Sequence, residues 1–163
     1  MGRVYSIPYN GTITAAGGDT DLLSLQPADD RPVKLRGVLL SQISETGDTQ
    51  EEGLRITVRR MGATFTVGSG GSAITAATPT HDSADPVWSF TARCNDTTVA
   101  TTSGTNDIKI ELGWINRASP YEMWFPDERF GLKVKQGEGL VIRCETTAVD
   151  DWTLCLTVWV EEE

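Results

Sequence analysis

The chain has one histidine, His81, and that limits the acid–base and metal chemistry open to it. His81, Asp82 and Asp85 lie in one polar stretch and offer a nitrogen and two carboxylates. A hard divalent cation needs several converging oxygens. The trio reads as solvated side chains, and no metal site is expected. A Ser-His-Asp triad would have to use the same histidine, and no Gly-x-Ser-x-Gly elbow is present to display a nucleophile. Gly68-Ser69-Gly70-Gly71 has the composition of a phosphate loop but lacks the following lysine and the helix whose amino end would hold the phosphate. It reads as a flexible loop tip. Acidic pairs occur at Asp29-Asp30, Asp127-Glu128 and Asp150-Asp151. Neighbouring carboxylates in turns face water, whereas glycosidic chemistry needs two facing each other across a bond. The sequence therefore predicts no enzyme, no catalytic residue and no cofactor. Asn10-Gly11-Thr12 and Asn95-Asp96-Thr97 fit the glycosylation pattern, but patterns this short arise by chance.

Binding residues are easier to find. Of five tryptophans, Trp88, Trp114 and Trp152 fall on expected core faces. Trp159 has the opposite parity, among Cys155 and Thr157, where another subunit or the far face of a sheet would cover it. Tyr121, Met123, Trp124 and Phe125 crowd between Arg117 and Arg129. Exposed aromatic and arginine clusters are typical of interfaces; the same residues could instead plug one end of a sandwich. Tyr5, Ile7 and Tyr9 are apolar yet lie outside the main strand pattern, so this segment is expected to reach a neighbouring subunit. Leu22, Leu23 and Leu25 form a short apolar patch that needs covering. The expected subunit or capsid interface is thus Tyr5, Ile7, Tyr9, Leu22, Leu23, Leu25, Arg117, Tyr121, Trp124, Phe125, Arg129 and Trp159.

Charge narrows the partners. The net charge is -9, with 14 basic residues scattered among 23 acidic ones. No phosphate-binding stripe results, so nucleic acid is not expected, nor is an anionic membrane surface. No apolar run approaches membrane-spanning length, and the first residues lack a signal-peptide core. Acidity suits docking on a basic surface. By strand parity Cys144 points inward and Cys155 outward. With Cys94 they read as free thiols of a reducing compartment.

The elements that must position these residues are strands. From Trp152 onward Trp152, Leu154, Leu156, Val158 and Val160 alternate with more polar residues, the period of a half-buried strand. Leu140, Ile142 and Cys144 repeat the pattern. Leu132 and Val134 do so before the turn Gln136-Gly137-Glu138-Gly139. Upstream strands are expected around Val33–Ser44, with Val33, Leu35, Leu39 and Ile43 on one face and Gly37 at a bulge or close approach. Others are expected at Leu54, Ile56 and Val58, continuing through Phe65 and Val67; at Trp88, Phe90, Ala92 and Cys94; and at Ile108, Ile110, Leu112 and Trp114. The predicted core is Leu54, Ile56, Val58, Phe90, Ile110, Leu140, Ile142, Leu154, Leu156 and Val158. Residues 1–14 read as an amino-terminal arm and edge strand, because Pro8 removes a ladder donor. Residues 68–86 read as a long loop. Ser119-Pro120-Tyr121-Glu122 fits a capping box and predicts one helical turn near 120–123. The fold class is all-β, a single domain over residues 1–163, built as a jelly roll or two-sheet antiparallel β-sandwich.

The arm VYSIPYNGTIT, the loop GSGGSAIT, the segment DPVWSFTARCNDTT and the ending VKQGEGLVIRCETTAVDDWTLCLTVWVEEE occur in the order seen in a known family. In that order the chain resembles the small single-jelly-roll decoration, or cement, proteins of tailed-bacteriophage heads. The resemblance implies a homotrimer on the outer surface of the virion, clamping the major capsid protein against internal pressure and assembled in the host bacterial cytoplasm. It transfers no catalytic residue. A carbohydrate-binding sandwich that grips the host surface is the alternative, with Trp124 and Tyr121 stacking on sugar rings of a glycan.

Overall fold

The computed structural model describes residues 2–14, 17–43, 52–75, 84–104, 107–115, 120–126 and 129–163, without the side chains of Leu112 and Ile115. Among them the chain forms strands and no helix: β1 (Arg3–Ile13), β2 (Thr20–Gln26), β3 (Val33–Gln42), β4 (Gly53–Met61), β5 (Ser72–Ile74), β6 (Thr91–Asp96), β7 (Ile108–Ile115), β8 (Tyr121–Trp124), β9 (Lys133–Val134), β10 (Gly139–Cys144) and β11 (Trp152–Glu162). They make two antiparallel sheets. The first runs β1-β11-β3-β8, with β9 also on β3; the second runs β5-β6-β2-β10-β4-β7. Their inner faces share one apolar core. The expectation of an all-β, two-sheet antiparallel sandwich holds.

Strand β11 is the axis of the first sheet. It pairs along its whole length with β1, from Ile13↔Trp152 to Arg3↔Glu162, and on its other side with β3. Burial alternates strictly, with Trp152, Leu154, Leu156, Val158 and Val160 inward. All the predicted core residues are buried except Ile110, which is partly buried and packs against the core.

β1 lies at the edge of its sheet, as Pro8 suggested, but it is a regular strand and no reaching arm. Tyr5 and Ile7 are fully buried, and the Tyr5 ring meets Trp88 and Phe90 edge-on at 6.0 Å each. They belong to the sandwich pattern and have no surface left for a neighbour. The Tyr5 hydroxyl donates to the carbonyl of Pro86 at 3.1 Å.

The Leu22-Leu23-Leu25 patch is also corrected. These residues are part of β2, an inner strand flanked by β6 and β10, and all three are fully buried. The chain supplies their cover. A bulge between Ile142 and Arg143 opposes one step of β10 to two of β2, which lets adjacent Leu22 and Leu23 both reach the core.

The helical turn near 120–123 is absent. Tyr121–Trp124 pairs antiparallel with β3 through Gly37↔Trp124, Val38↔Met123, Leu39↔Glu122 and Leu40↔Tyr121. A local cap signal loses to a ladder with a long strand. Residues 68–86 are not loop throughout, since β5 pairs with β6. Phe65 and Val67 do not continue β4; they fold back over the second sheet. The chain stays close there because Gly68 and Gly71 have no side chain where a Cβ would run into the carbonyl oxygens of Thr98 and Cys94.

The cysteines are free: Cys94 and Cys144 are buried and Cys155 is half-buried on the opposite face. Burial pushes the Cys94 and Cys144 thiols up, which keeps them protonated and unreactive.

Candidate functional site

The outer faces of the two sheets differ. The outer face of the second sheet is partly covered by the chain itself. The segments around residues 62–71 and 97–104 bridge each other at Thr66↔Thr101 and Ser69↔Thr98 and lie across it as a flap. Beneath the flap Met61, Phe65, Ala100 and Val141 form a small second core. A buried ion pair fastens it. Arg143 Nε donates to Asp21 Oδ1 at 2.5 Å, Arg143 Nη2 donates to the Ala100 carbonyl at 2.8 Å, and the Ala100 amide donates to Asp21 Oδ2 at 2.6 Å. Burial pushes the Asp21 carboxyl up, against the pull of Arg143 and the Ala100 amide.

Beyond the flap the same face carries a charge network centred on Glu145. Its carboxylate accepts from Lys109 Nζ at 2.7 Å and Thr57 Oγ1 at 3.0 Å, with Arg55 and Arg59 each at 3.4 Å. Burial raises the Glu145 pKa, but the hydrogen bonds from Lys109 and Thr57 and the charges of Lys109 and Arg55 outweigh it and hold the group below the usual carboxylate range. A carboxyl lowered on folding stabilises the fold above its unfolded pKa, near 4.5, and loses that contribution as pH falls through the lower folded value. In acid titrations of stability, Glu145→Gln should therefore flatten the limb below that pH. An unchanged limb in the variant would show that Glu145 does not drive it.

Among the described residues the outer face of the first sheet is uncovered. Across its strands run Ser6, Trp159, Gly37 and Trp124 in one row, set by Ser6↔Trp159, Trp159↔Gly37 and Gly37↔Trp124. Residues at the neighbouring levels are Pro8, Thr157, Leu39 and Glu122, then Asn10, Cys155 and Ser41, all exposed or half-buried. These mostly polar levels thus flank two indoles. Their ring centroids are 4.7 Å apart, tilted by 36°. Trp124 is 49% exposed, and its indole N–H donates to Glu122. Beside the pair Arg36 Nε donates to Glu161 at 2.6 Å.

Gly37 makes this pairing possible. A Cβ there would fall inside contact distance of the Trp124 ring carbons. The same place holds a bulge, because Trp159 pairs with Gly37 while Val160 pairs with Leu35, so Arg36 is the extra residue. The bulge reverses parity along β3. Val33 and Leu35 point inward before it, Val38 and Leu40 after it. Leu39 and Ile43, expected to share a face with Val33 and Leu35, face outward, with Ile43 exposed. Gly37→Ala should change stability by no more than about 1 kcal/mol, since the displaced ring is exposed. It should abolish the far-ultraviolet exciton couplet expected of the indole pair. Retention of that signal would show that the rings tolerate a methyl group.

Of the expected contact residues, Trp124 and Trp159 come together here. Phe125 is half-buried against the core, as is Tyr9 on β1. Tyr121 is buried, and burial pushes its phenol up to about 12. It plugs the core and is not available to a partner. Arg129 is exposed, and Arg117 lies outside the described residues, as do His81 and Asp82. Asp85 faces Arg3 at 3.7 Å. Among the described residues no group of ligands suited to a metal converges. The expectation of a bulge or close approach at Gly37 holds, whereas sequence reasoning missed Glu122 and which ring makes the approach. No family model matches the chain, and no curated protein matches it significantly.

Proposed function

We propose that the chain is a non-catalytic structural protein of a virion, a capsid decoration protein of single-jelly-roll type. In this reading it binds the outer surface of a phage head as a homotrimer and stabilises the contacts of the major capsid protein. The observation that carries the proposal is the asymmetry of the two faces. One is partly covered by the chain's own flap, and the other, among the described residues, is uncovered and carries a partly exposed tryptophan pair. Large rigid aromatics on an open surface are what interfaces use as anchors. The sandwich fold, the net charge of -9 and the resemblance of four sequence segments to cement proteins support the same reading.

A glycan-binding module is the second reading, favoured by the same indoles, which could stack on sugar rings. Tyr121 no longer contributes to it, because it is buried. Light scattering on the purified protein, followed by co-sedimentation with undecorated heads, separates the two. A trimer that co-sediments, and whose Trp124→Ala variant binds at least about tenfold more weakly, is the expected result, since anchor truncations cost about 2 kcal/mol or more. A monomer that fails to bind heads would overturn the decoration reading and leave the glycan reading standing.

A further inference from the structure

We infer that Trp124, Trp159 and Glu122 form an anchor for a basic side chain, an arginine above all, projecting from the surface of the protein partner. The inference rests on the docking role proposed above and names the chemistry of the surface met. Indole has the strongest cation-attracting face among the aromatic side chains. Here two indoles lie against each other, and Trp124 still has about half its surface in solvent. Its N–H is held by Glu122, an exposed carboxylate with lone pairs left for a second donor. Among the described residues the cation beside the pair is Arg36, and Glu161 engages it. Among the described residues two carboxylates, Glu122 and Glu161, stand by the pair with one guanidinium, on a chain whose net charge is -9. Both local and overall charge therefore select a cationic visitor. Guanidinium suits the place better than ammonium, since it is planar, stacks on an indole and donates to a carboxylate at the same time. Neutral sugars could use the rings but would gain nothing from Glu122 as a charge.

The test is a titration of the full chain, labelled with nitrogen-15 at tryptophan, by a short acetylated, amidated Gly-Arg-Gly-Arg-Gly peptide. Indole N–H resonances would be assigned with Trp124→Phe and Trp159→Phe. The Trp124 and Trp159 signals should shift while those of the buried indoles stay. The same peptide with citrulline in place of arginine should bind about fivefold to tenfold more weakly, and Glu122→Gln should weaken the arginine peptide. Binding should fall as salt rises. Equal binding of both peptides, shifts produced only by a neutral oligosaccharide, or no shift at millimolar arginine peptide would each overturn the inference. Co-sedimentation keeps it distinct from the function proposed above. If heads capture the wild type and Glu122→Gln equally, the anchor chemistry fails while the decoration role stands. Failure of the wild type to bind heads removes the role, and the peptide titration still decides the anchor.

Discussion

Asp21→Ala should destabilise the protein by about 3–5 kcal/mol, as breaking one side of a buried ion pair does. The Asp21 side chain has 0% exposure and that of Arg143 7%. Alanine would leave the guanidinium with the Ala100 carbonyl as its remaining partner among those described, and would strip the Ala100 amide of its acceptor. Both groups lie under the flap, where water cannot replace the lost oxygens without opening it. The damage should be local first. Limited proteolysis should cut residues 97–104 well before the rest of the sandwich, because Ala100 is what the pair holds. The loss comes from the orphaned charge, and the pair's own net value is small. Asp21→Leu combined with Arg143→Met should therefore recover most of the stability lost in Asp21→Ala. Urea denaturation of the three proteins checks both claims. A loss below about 1 kcal/mol in Asp21→Ala would mean that the flap admits water to Arg143.

Leu156→Ala should cost about 2–5 kcal/mol. Leu156 is 1% exposed and stands on the central strand of the first sheet, with Tyr9 and Leu40 at its sides. Its neighbours belong to ladders fixed on both sides of β11, so they cannot move in to fill the space. In a chain of this size each kcal/mol lowers the melting temperature by about 2–4 °C, which predicts a fall of about 4–20 °C. The urea slope should not change, since no strand is lost. A loss of less than about half a kcal/mol would place Leu156 outside the core.

Where one face meets the core and the other meets water, periodicity sufficed. Strand β11 is the example, since Trp152 to Val160 read correctly from the sequence. It failed in three places, each for a different physical reason. β2 shows no alternation, because Thr20 to Leu25 are buried on both faces: the flap covers the side that water would otherwise wet. A sequence window contains nothing of a cover contributed by residues far along the chain. β3 read correctly up to Arg36 and was out of phase afterwards. Gly37 marked the bulge, but the shift of one residue follows only from the pairing with β11. β8 carried a true local helix signal at Ser119-Pro120-Tyr121-Glu122, overridden by its pairing with β3. The candidate site was legible in its parts. Trp159 stood out by parity and Trp124 by its crowded neighbourhood. Their meeting was not legible, because it depends on β3 lying between β11 and β8 with a glycine at the crossing. Tyr5 and Ile7 were misplaced because an edge strand rich in tyrosine looks like an arm until its partner is known.

The position of β11 also has a consequence in time. It follows β1 to β10, yet β1 and β3 are joined in their sheet through it. During synthesis β1 must wait, without its partner, until β11 has left the ribosome. Until then Tyr5 and Ile7 have no sheet to enter, and the open sides of β1 and β3 can recruit a strand from another nascent chain. The second sheet does not wait in this way, because β2, β4, β6, β7 and β10 all precede β11. The first sheet is thus built last and closed by a single event, with the slow kinetics of long-range pairing. Chains stalled or cleaved before Trp152 would keep a nearly complete second sheet and two sticky edges, and would be found in aggregates.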